Sequence, residues 1–251
     1  MNAADLKPLN SENVICKFAD YTYIIIVDSA INTRTHELDN FETWAQKNNL
    51  KLNRTKTIEL VCVDIRRKRQ LSLLPPVPGI TRVAFLMILG VAISNHLTVS
   101  EHIQHTISPC AQTLDAIKIT RAHGMIDTVL QQVYRSVILS KLQYASCAWW
   151  DFTKASDRHQ IDNFIRQSVK SGFCPADLQS IGGLCETADE KLFNQVVYNP
   201  LHVVHQLLPR QSTASQNYNP RPRKHDKELP EKTTHLTDSN FINRLLFSDS
   251  Y

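Results

Sequence analysis

Two strand-like segments separated by a short polar turn lie near the start of the chain. The first ends at Phe18, and the second runs from Tyr21 through the apolar residues Tyr23 to Val27. Ile, Val, Phe and Tyr favour strands, so the pattern predicts an antiparallel hairpin with two buried strands. Asp20 falls in the turn. A carboxylate there suits a divalent metal ion and is also an ordinary turn residue, and the spacing alone leaves both interpretations open.

The size and charge of the chain set broad limits on its function. Its 251 residues suffice for one globular domain or two small ones. The 28 Lys and Arg residues against 24 Asp and Glu residues give a net charge of +4, which permits nucleic-acid binding without requiring it. The longest apolar run, Val83 to Ile93, is shorter than the roughly 20 residues of a membrane-spanning helix, so we expect no membrane contact.

The cysteines indicate the compartment. None of the six is spaced as CxxC, and the N-terminus has no signal-peptide pattern. Together these features predict free thiols in reducing surroundings, and hence an intracellular protein of the cytoplasm, the nucleus or both.

The periodicity of the apolar residues changes along the chain. Residues 14–93 contain short strand-like runs around one amphipathic segment, whereas apolar residues recur at helical spacing from about residue 98. The pattern predicts an α+β fold, with a small antiparallel sheet in residues 1–97 and a mainly α-helical domain in residues 98–208. Residues 209–251 are rich in Pro, Lys, Arg, Ser and Thr and predict a flexible basic tail with a short terminal helix.

Capping patterns and helix breakers set the predicted helix bounds. Two capping-box sequences predict helix starts at Thr98-Val99-Ser100-Glu101 and at Thr187-Ala188-Asp189-Glu190. Pro109 is expected to kink the first of these helices. Trp149 and Trp150 predict an anchor between helices rather than a platform for stacked bases.

Two further features have more than one interpretation. The run Arg66-Arg67-Lys68-Arg69 must be exposed because its cations repel one another. It can contact phosphates, act as a nuclear-import signal or lie on an ordinary surface loop.

Gly90 lies between two short strands predicted within Ile80 to Ile93, where glycine permits close approach of a neighbouring strand or of a nucleic-acid backbone.

Several stretches of the sequence resemble one protein family. Phe18-Ala19-Asp20-Tyr21 resembles the Phe-Ala-Asp-Asp signature of reverse transcriptases of non-LTR retrotransposons, in particular the Jockey-like lineages. Leu52-Asn53-x-x-Lys56-Thr57 is similar to the next polymerase motif of that family, and Ile88-Leu89-Gly90-Val91 resembles its primer-gripping hairpin. The similarity runs from about residue 13 to the end of the chain and includes Ala122-His123-Gly124, Tyr144-x-x-x-Ala148-Trp149, Gly172-Phe173-Cys174-Pro175, Ser215-Gln216-Asn217-Tyr218 and Asn240-Phe241-Ile242.

The resemblance implies the end of a polymerase palm, followed by a thumb and a C-terminal region. It gives Asp20 a catalytic role as a ligand of Mg²⁺, and it places Lys56 near the nucleotide triphosphate, where lysine can protonate the leaving pyrophosphate. It assigns nucleic-acid contact to Leu89-Gly90-Val91 and offers the same role to the cations Arg66, Arg67, Lys68 and Arg69. The implied partners are RNA and DNA, bound nonspecifically, and no small-molecule substrate is expected.

Two departures from the family pattern limit the expected activity. Tyr21 replaces the second Asp of the signature, and a neutral phenol is a poor ligand for Mg²⁺. The palm and finger segments that precede the hairpin in the family, including the first metal-binding Asp, do not occur in this sequence. We therefore expect a truncated polymerase that binds Mg²⁺ weakly at best and is inactive alone. The alternative is a nonspecific RNA- or DNA-binding module retained from such an element.

Overall fold

A computed structural model of the protein describes residues 5–62, 75–175, 178–212, 225–232 and 234–248. The chain forms two compact units, Met1–Phe85 and Leu86–Tyr251. The first contains strand pairs and one long helix, and the second is mainly helical. The predicted α+β class is therefore confirmed, whereas the domain bounds placed at residues 97 and 208 stay a prediction.

The first unit contains the predicted hairpin. Strand β1 (Val14–Phe18) pairs antiparallel with β2 (Tyr21–Ile25), and Ala19 and Asp20 form the turn. Ala19 adopts a left-handed φ of 49°, as tight hairpin turns require. The expectation of two buried strands is wrong, since most of their residues are exposed. The reason is that this sheet has only two strands in the part of the chain that the structure describes.

Helix α1 (Arg34–Lys47) lies where the apolar stripe predicts a helix and follows a short 3₁₀ turn, Asp28–Thr33. Phe41 and Ala45 of that stripe are buried. Thr33 stands at the N-cap of α1, but its hydroxyl donates to the Ala30 carbonyl at 2.7 Å and makes no capping bond to the helix.

Glu37 attaches the N-terminal segment to α1. Its side chain is fully buried, with 0% relative exposure. Its carboxylate accepts hydrogen bonds from the backbone N–H groups of Leu9 and Asn10, both at 3.0 Å, and from Asn13 Nδ2 at 2.8 Å. Three N–H donors offset the cost of burying a charge, so this carboxylate fixes the path of residues 9–13.

The second strand pair of the first unit is parallel. Strand β3 (Ile58–Leu60) pairs with β4 (Thr81–Val83), so the expected fully antiparallel palm-remnant sheet is wrong. The long connection between the two strands allows the chain to cross over and return in the same direction, as parallel pairing requires. Glu59 on β3 forms ion pairs with Arg34, at 3.2 Å, and with Arg82 on β4, at 2.9 Å.

The second unit starts with a hairpin and continues as helices. Strand β5 (Phe85–Ile88) pairs with β6 (Val91–Ser94). The segment predicted to hold two strands, Ile80 to Ile93, therefore contributes to three: β4, β5 and β6. The helices are α2 (Ser100–Ala122), α3 (Asp127–Val133), α4 (Ser140–Gln143), α5 (Ser146–Trp149), α6 (Ala155–Lys170), α7 (Ile181–Tyr198), α8 (His235–Asp238) and α9 (Phe241–Phe247).

Both predicted capping boxes are wrong. The Thr98 hydroxyl is hydrogen-bonded to Ser94 Oγ at 2.7 Å, and α2 begins at Ser100 without a side-chain cap. Thr187 lies inside α7, whose N-cap is Ser180. In both places the threonine hydroxyl bonds a nearby group that the pattern does not reveal, so the pattern misplaces the helix start.

One large core holds the helices of the second unit together. Trp149 and Trp150 are buried in it, with ring centroids 5.9 Å apart in an edge-to-face arrangement, and His102 of α2 lies 5.0 Å from the Trp149 ring. The predicted role of the tryptophan pair as an anchor between helices is confirmed. A smaller cluster joins α9 to α7 through Phe193, Ile242, Leu245 and Leu246.

Among the described residues, no helix combines the length and the apolar composition needed to cross a membrane.

Candidate functional site

The hairpin tip presents Asp20 to solvent. Asp20 is exposed and follows Ala19 in the turn, and the flanking pair Phe18 and Tyr21 is exposed by 57% and 63%. The Tyr21 and Tyr23 rings stack with their centroids 6.5 Å apart. The tip therefore combines one carboxylate with exposed aromatic rings.

The hairpin tip does not by itself fit a Mg²⁺ site. Mg²⁺ takes oxygen ligands in near-octahedral geometry and is usually held by carboxylates. Tyr21, next to Asp20, supplies a phenol instead of a carboxylate. Within the described ranges no group of three or more His, Cys, Asp and Glu side chains is placed to hold a metal ion. Asp20 by itself does not supply the oxygen ligands that a Mg²⁺-assisted reaction requires.

Lys56 lies in a turn organised by Asn53. The Lys56 backbone N–H donates to Asn53 Oδ1 at 3.2 Å, and the Thr57 hydroxyl donates to the Asn53 carbonyl at 2.9 Å. The Lys56 residue is exposed. The segment similar to the polymerase motif thus forms a defined loop just before β3, with its lysine facing solvent.

A cavity of about 630 Å³ lies beside this loop. Arg54 crosses one side of it and binds the Glu42 carboxylate through two hydrogen bonds, at 2.5 and 2.7 Å. These hydrogen bonds lower the pKa of the Glu42 carboxyl. Lys56 is not among the lining residues, which are Glu42, Gln46, Leu50, Lys51, Leu52, Asn53, Arg54 and Thr55.

The Leu89-Gly90 turn packs against a tyrosine of the helical unit. Gly90 has a φ of +83°, and a Cβ atom added to it would lie 3.2 Å from Tyr144 Cε1. The Tyr144 hydroxyl donates to the Leu89 carbonyl at 3.0 Å. Val91 is only 6% exposed and belongs to the large core. The close neighbour at Gly90 is therefore an aromatic ring, and two stretches that resemble the polymerase family meet here.

The sequence-predicted site residues do not form one site in the structure. Asp20 and Lys56 lie in the first unit and make no ion pair with each other, among the described residues, while Leu89, Gly90 and Val91 lie in the second unit. The cations Arg66, Arg67, Lys68 and Arg69 lie outside the described residues.

The sequence did not predict a buried ion-pair network in the helical unit. The Arg244 guanidinium contacts Asp189 Oδ2 at 2.7 Å and Asp151 Oδ2 at 2.6 Å, and the Asp189 side chain has no exposed surface. Burial raises the pKa of the Asp151 carboxyl, although Arg244 acts in the opposite direction. The only sequence signal is a single arginine within the apolar helix α9.

The thiols beside this network are not suited to nucleophilic chemistry. Burial raises the pKa of Cys147 to about 12 and that of Cys185 to about 11. Thiolate is the reactive form of cysteine, so both side chains are protonated and inert at neutral pH.

Comparison of the chain with protein-family models, with curated proteins and with solved structures found no match.

Proposed function

We propose that this chain is part of a reverse transcriptase of the non-LTR retrotransposon type, with a degenerate polymerase centre. The observation that carries the proposal is the position of Phe18-Ala19-Asp20-Tyr21 at the tip of an antiparallel hairpin, with Asp20 exposed in the turn. The turn of a hairpin is a placement that suits a metal-binding carboxylate. On this proposal residues 1–97 derive from the palm and residues 98–208 from the thumb, in an intracellular protein of the cytoplasm, the nucleus or both.

The order of the other motifs supports the same proposal. Helix α1 follows the hairpin, a loop with the exposed Lys56 precedes β3, and Leu89-Gly90 forms the turn of a further hairpin. Asp20, Lys56 and Leu89 of the three polymerase-like motifs thus lie exposed on turns or a loop, where they are available to contact nucleotide or primer.

The first test is primer extension on an RNA template with purified protein, Mg²⁺ and nucleotides. We expect no extension, because Tyr21 cannot replace a carboxylate in a two-metal mechanism. An active reverse transcriptase controls for the quality of template and primer. The Asp20→Ala variant is the matched control for contaminating polymerase. Extension by the unmodified chain that is lost in Asp20→Ala would contradict the expected inactivity.

A second candidate function is nonspecific binding of RNA or DNA. The specific observation in its favour is the pair of exposed rings at the hairpin tip, Phe18 and Tyr21, with the half-buried Tyr23 ring stacked on Tyr21, on a chain with a net charge of +4. Exposed aromatic rings stack on bases without regard to sequence, and cations bind the backbone phosphates.

Fluorescence anisotropy with labelled single-stranded RNA tests this second function. Raising the salt from about 50 mM to about 200 mM is expected to weaken binding by about sevenfold or more, as two or more phosphate contacts to a single strand require. Tyr21→Ala is expected to weaken binding further at each salt concentration, while Thr22→Ala on the same strand serves as the control. Absence of binding at the lower salt concentration rules this function out.

A further inference from the structure

A π-helical turn separates α3 from α4. Residues Tyr134–Leu139 form this turn, and the Ser140 N–H donates to the Arg135 carbonyl five residues earlier. The Ser140 hydroxyl is hydrogen-bonded to the same carbonyl at 3.2 Å. In an α-helix, residues five apart are rotated from each other by about 140°. The wider turn brings Arg135 and Ser140 toward one face, and such turns are frequent at functional sites.

A groove of about 380 Å³ lies along this face. One side is formed by residues of the π-turn and of α4, from Arg135 to Gln143. The other side is formed by Leu178 and Gln179, which precede α7, and by Leu184 in its first turn. The volume lies within the range of small-molecule sites, about 300 to 1,000 Å³. The lining residues are Arg135, Leu139, Ser140, Gln143, Leu178, Gln179 and Leu184.

The polar groups of this groove are available to a ligand. Within the described part of the chain, the side chains of Arg135, Gln143 and Gln179 make no hydrogen bond or ion pair. Among the lining residues that the structure describes there is one cation, Arg135, and no carboxylate, so these residues attract an anion. The half-buried Leu178 and Leu184 supply an apolar surface between the polar groups, whereas Leu139 is only 6% exposed and belongs to the large core.

We propose that this groove binds a nucleotide unit, either free or within a single-stranded RNA. Arg135 binds the phosphate, because a guanidinium presents paired donors to phosphate oxygens. The carboxamides of Gln143 and Gln179 each offer a donor and an acceptor, which match the mixed edge of a base. Leu178 and Leu184 contact the planar face of the base. The inference rests on the proposed nucleic-acid-binding function and adds to it a second site, distinct from the hairpin tip, with a named ligand.

The test is titration of the full chain with two kinds of probe. The first is a set of four nucleoside monophosphates, measured by calorimetry, and the second is a labelled single-stranded RNA decamer, measured by anisotropy. Arg135→Gln is expected to weaken binding of both by about tenfold or more, the loss expected for one hydrogen-bonded charge contact. Arg166→Gln, which removes an exposed cation from α6 of the same unit, is expected to leave monophosphate binding unchanged.

Recognition of the base has its own test. Gln143→Leu and Gln179→Leu are expected to weaken nucleoside monophosphate binding several-fold while binding of inorganic phosphate stays the same. Equal affinity of the unmodified chain for inorganic phosphate and for the monophosphates would overturn the base contact. Thermal unfolding at an unchanged temperature shows that each variant is folded.

The outcomes separate this site from the broader function. If the chain binds the RNA decamer and Arg135→Gln and Arg166→Gln weaken it equally, the groove is not the site, although nucleic-acid binding stands. If monophosphates bind through Arg135 but the decamer does not bind, the groove is a free-nucleotide site and the proposed nucleic-acid binding fails. No monophosphate binding by the unmodified chain overturns the inference.

Discussion

At the scale of single residues, Glu37 has the largest structural consequence in the first unit. Burial alone raises the pKa of its carboxyl, but hydrogen bonds from Asn10, Leu9 and Asn13 together outweigh burial and place the pKa below the ordinary value of 4.5. A carboxylate whose pKa is lower in the folded chain stabilises the fold above the unfolded pKa. That stabilisation is lost as the pH falls through the folded pKa.

Replacing Glu37 tests this role. Glu37→Gln keeps the shape but removes the charge and one acceptor oxygen, so we expect the free energy of unfolding of the first unit to fall by about 1–3 kcal/mol at neutral pH. Urea unfolding followed by the NMR signals of α1 measures the loss. The difference from the unmodified chain should begin to shrink as the pH falls below about 4.5, the ordinary pKa, and should be smallest below the lower pKa of the folded carboxyl.

Asp39→Asn is the matched control, because Asp39 is exposed on the same helix. It is expected to leave the urea midpoint of α1 unchanged. A difference between Glu37→Gln and the unmodified chain that is the same at acid and neutral pH would contradict the assigned role of the charge.

At the scale of elements, α9 is too short to be stable alone and depends on its contacts with α7. A seven-residue helix lies well below the length at which isolated helices persist in water. Leu246 is fully buried, and Arg244 reaches two carboxylates, one of them on α7 and fully buried itself. Apolar packing and the ion-pair network therefore act together on one short element.

Removing one partner of this network is expected to release α9. Arg244→Met leaves Asp189 buried without its cation, which costs about 3–5 kcal/mol for buried pairs. Adding Asp189→Asn to Arg244→Met should recover part of the loss, because no buried charge then remains unpaired. Urea unfolding followed by NMR signals of α9 measures both variants. Losses that simply add in the double variant would contradict the coupling.

At the scale of the whole molecule, the two units differ in how they are held together. The first has two separate strand pairs and one long helix, whereas the second has a continuous core formed by α2, α6, α7 and the residues between them. Stability follows buried apolar surface, so the units are not expected to open at the same free energy. The exposed strands β1 and β2 also have few neighbours to protect their amides.

Hydrogen exchange measures this difference directly. Backbone amides of β1 and β2 are expected to exchange at least about tenfold faster than those in the middle of α2 and α6, a gap of roughly 1.4 kcal/mol or more in opening free energy. Mass spectrometry of peptic fragments from the full chain provides the rates. Equal protection of the two units would contradict the proposed difference in stability.

Sequence patterns predicted the elements whose signals are local. The hairpin at Asp20 follows from β-branched and aromatic residues around a short turn, and the stripe Phe41-x-x-x-Ala45 marks α1. Glu37 was not predicted, because its partners lie more than 20 residues away in the chain and a glutamate on a helix is usually solvated. The parallel pairing of β3 with β4 likewise depends on a long crossover that local patterns do not encode.

The candidate sites also combine features that follow from local sequence with features that depend on distant contacts. The exposure of Asp20 and Lys56 follows from the turn residues around them, whereas the burial of Val91 depends on the helices that cover it. The π-turn at Tyr134–Leu139 leaves no mark in the apolar periodicity, so the groove beside Arg135 could not be predicted.

Because Gly90 contacts Tyr144, a mutation at residue 144 changes the space available at residue 90. A Cβ atom at residue 90 would lie 3.2 Å from the tyrosine ring, and the positive φ there disfavours any residue other than glycine. Loss of the tyrosine in a lineage would therefore free space beside the turn without releasing residue 90 from glycine, because the backbone strain remains.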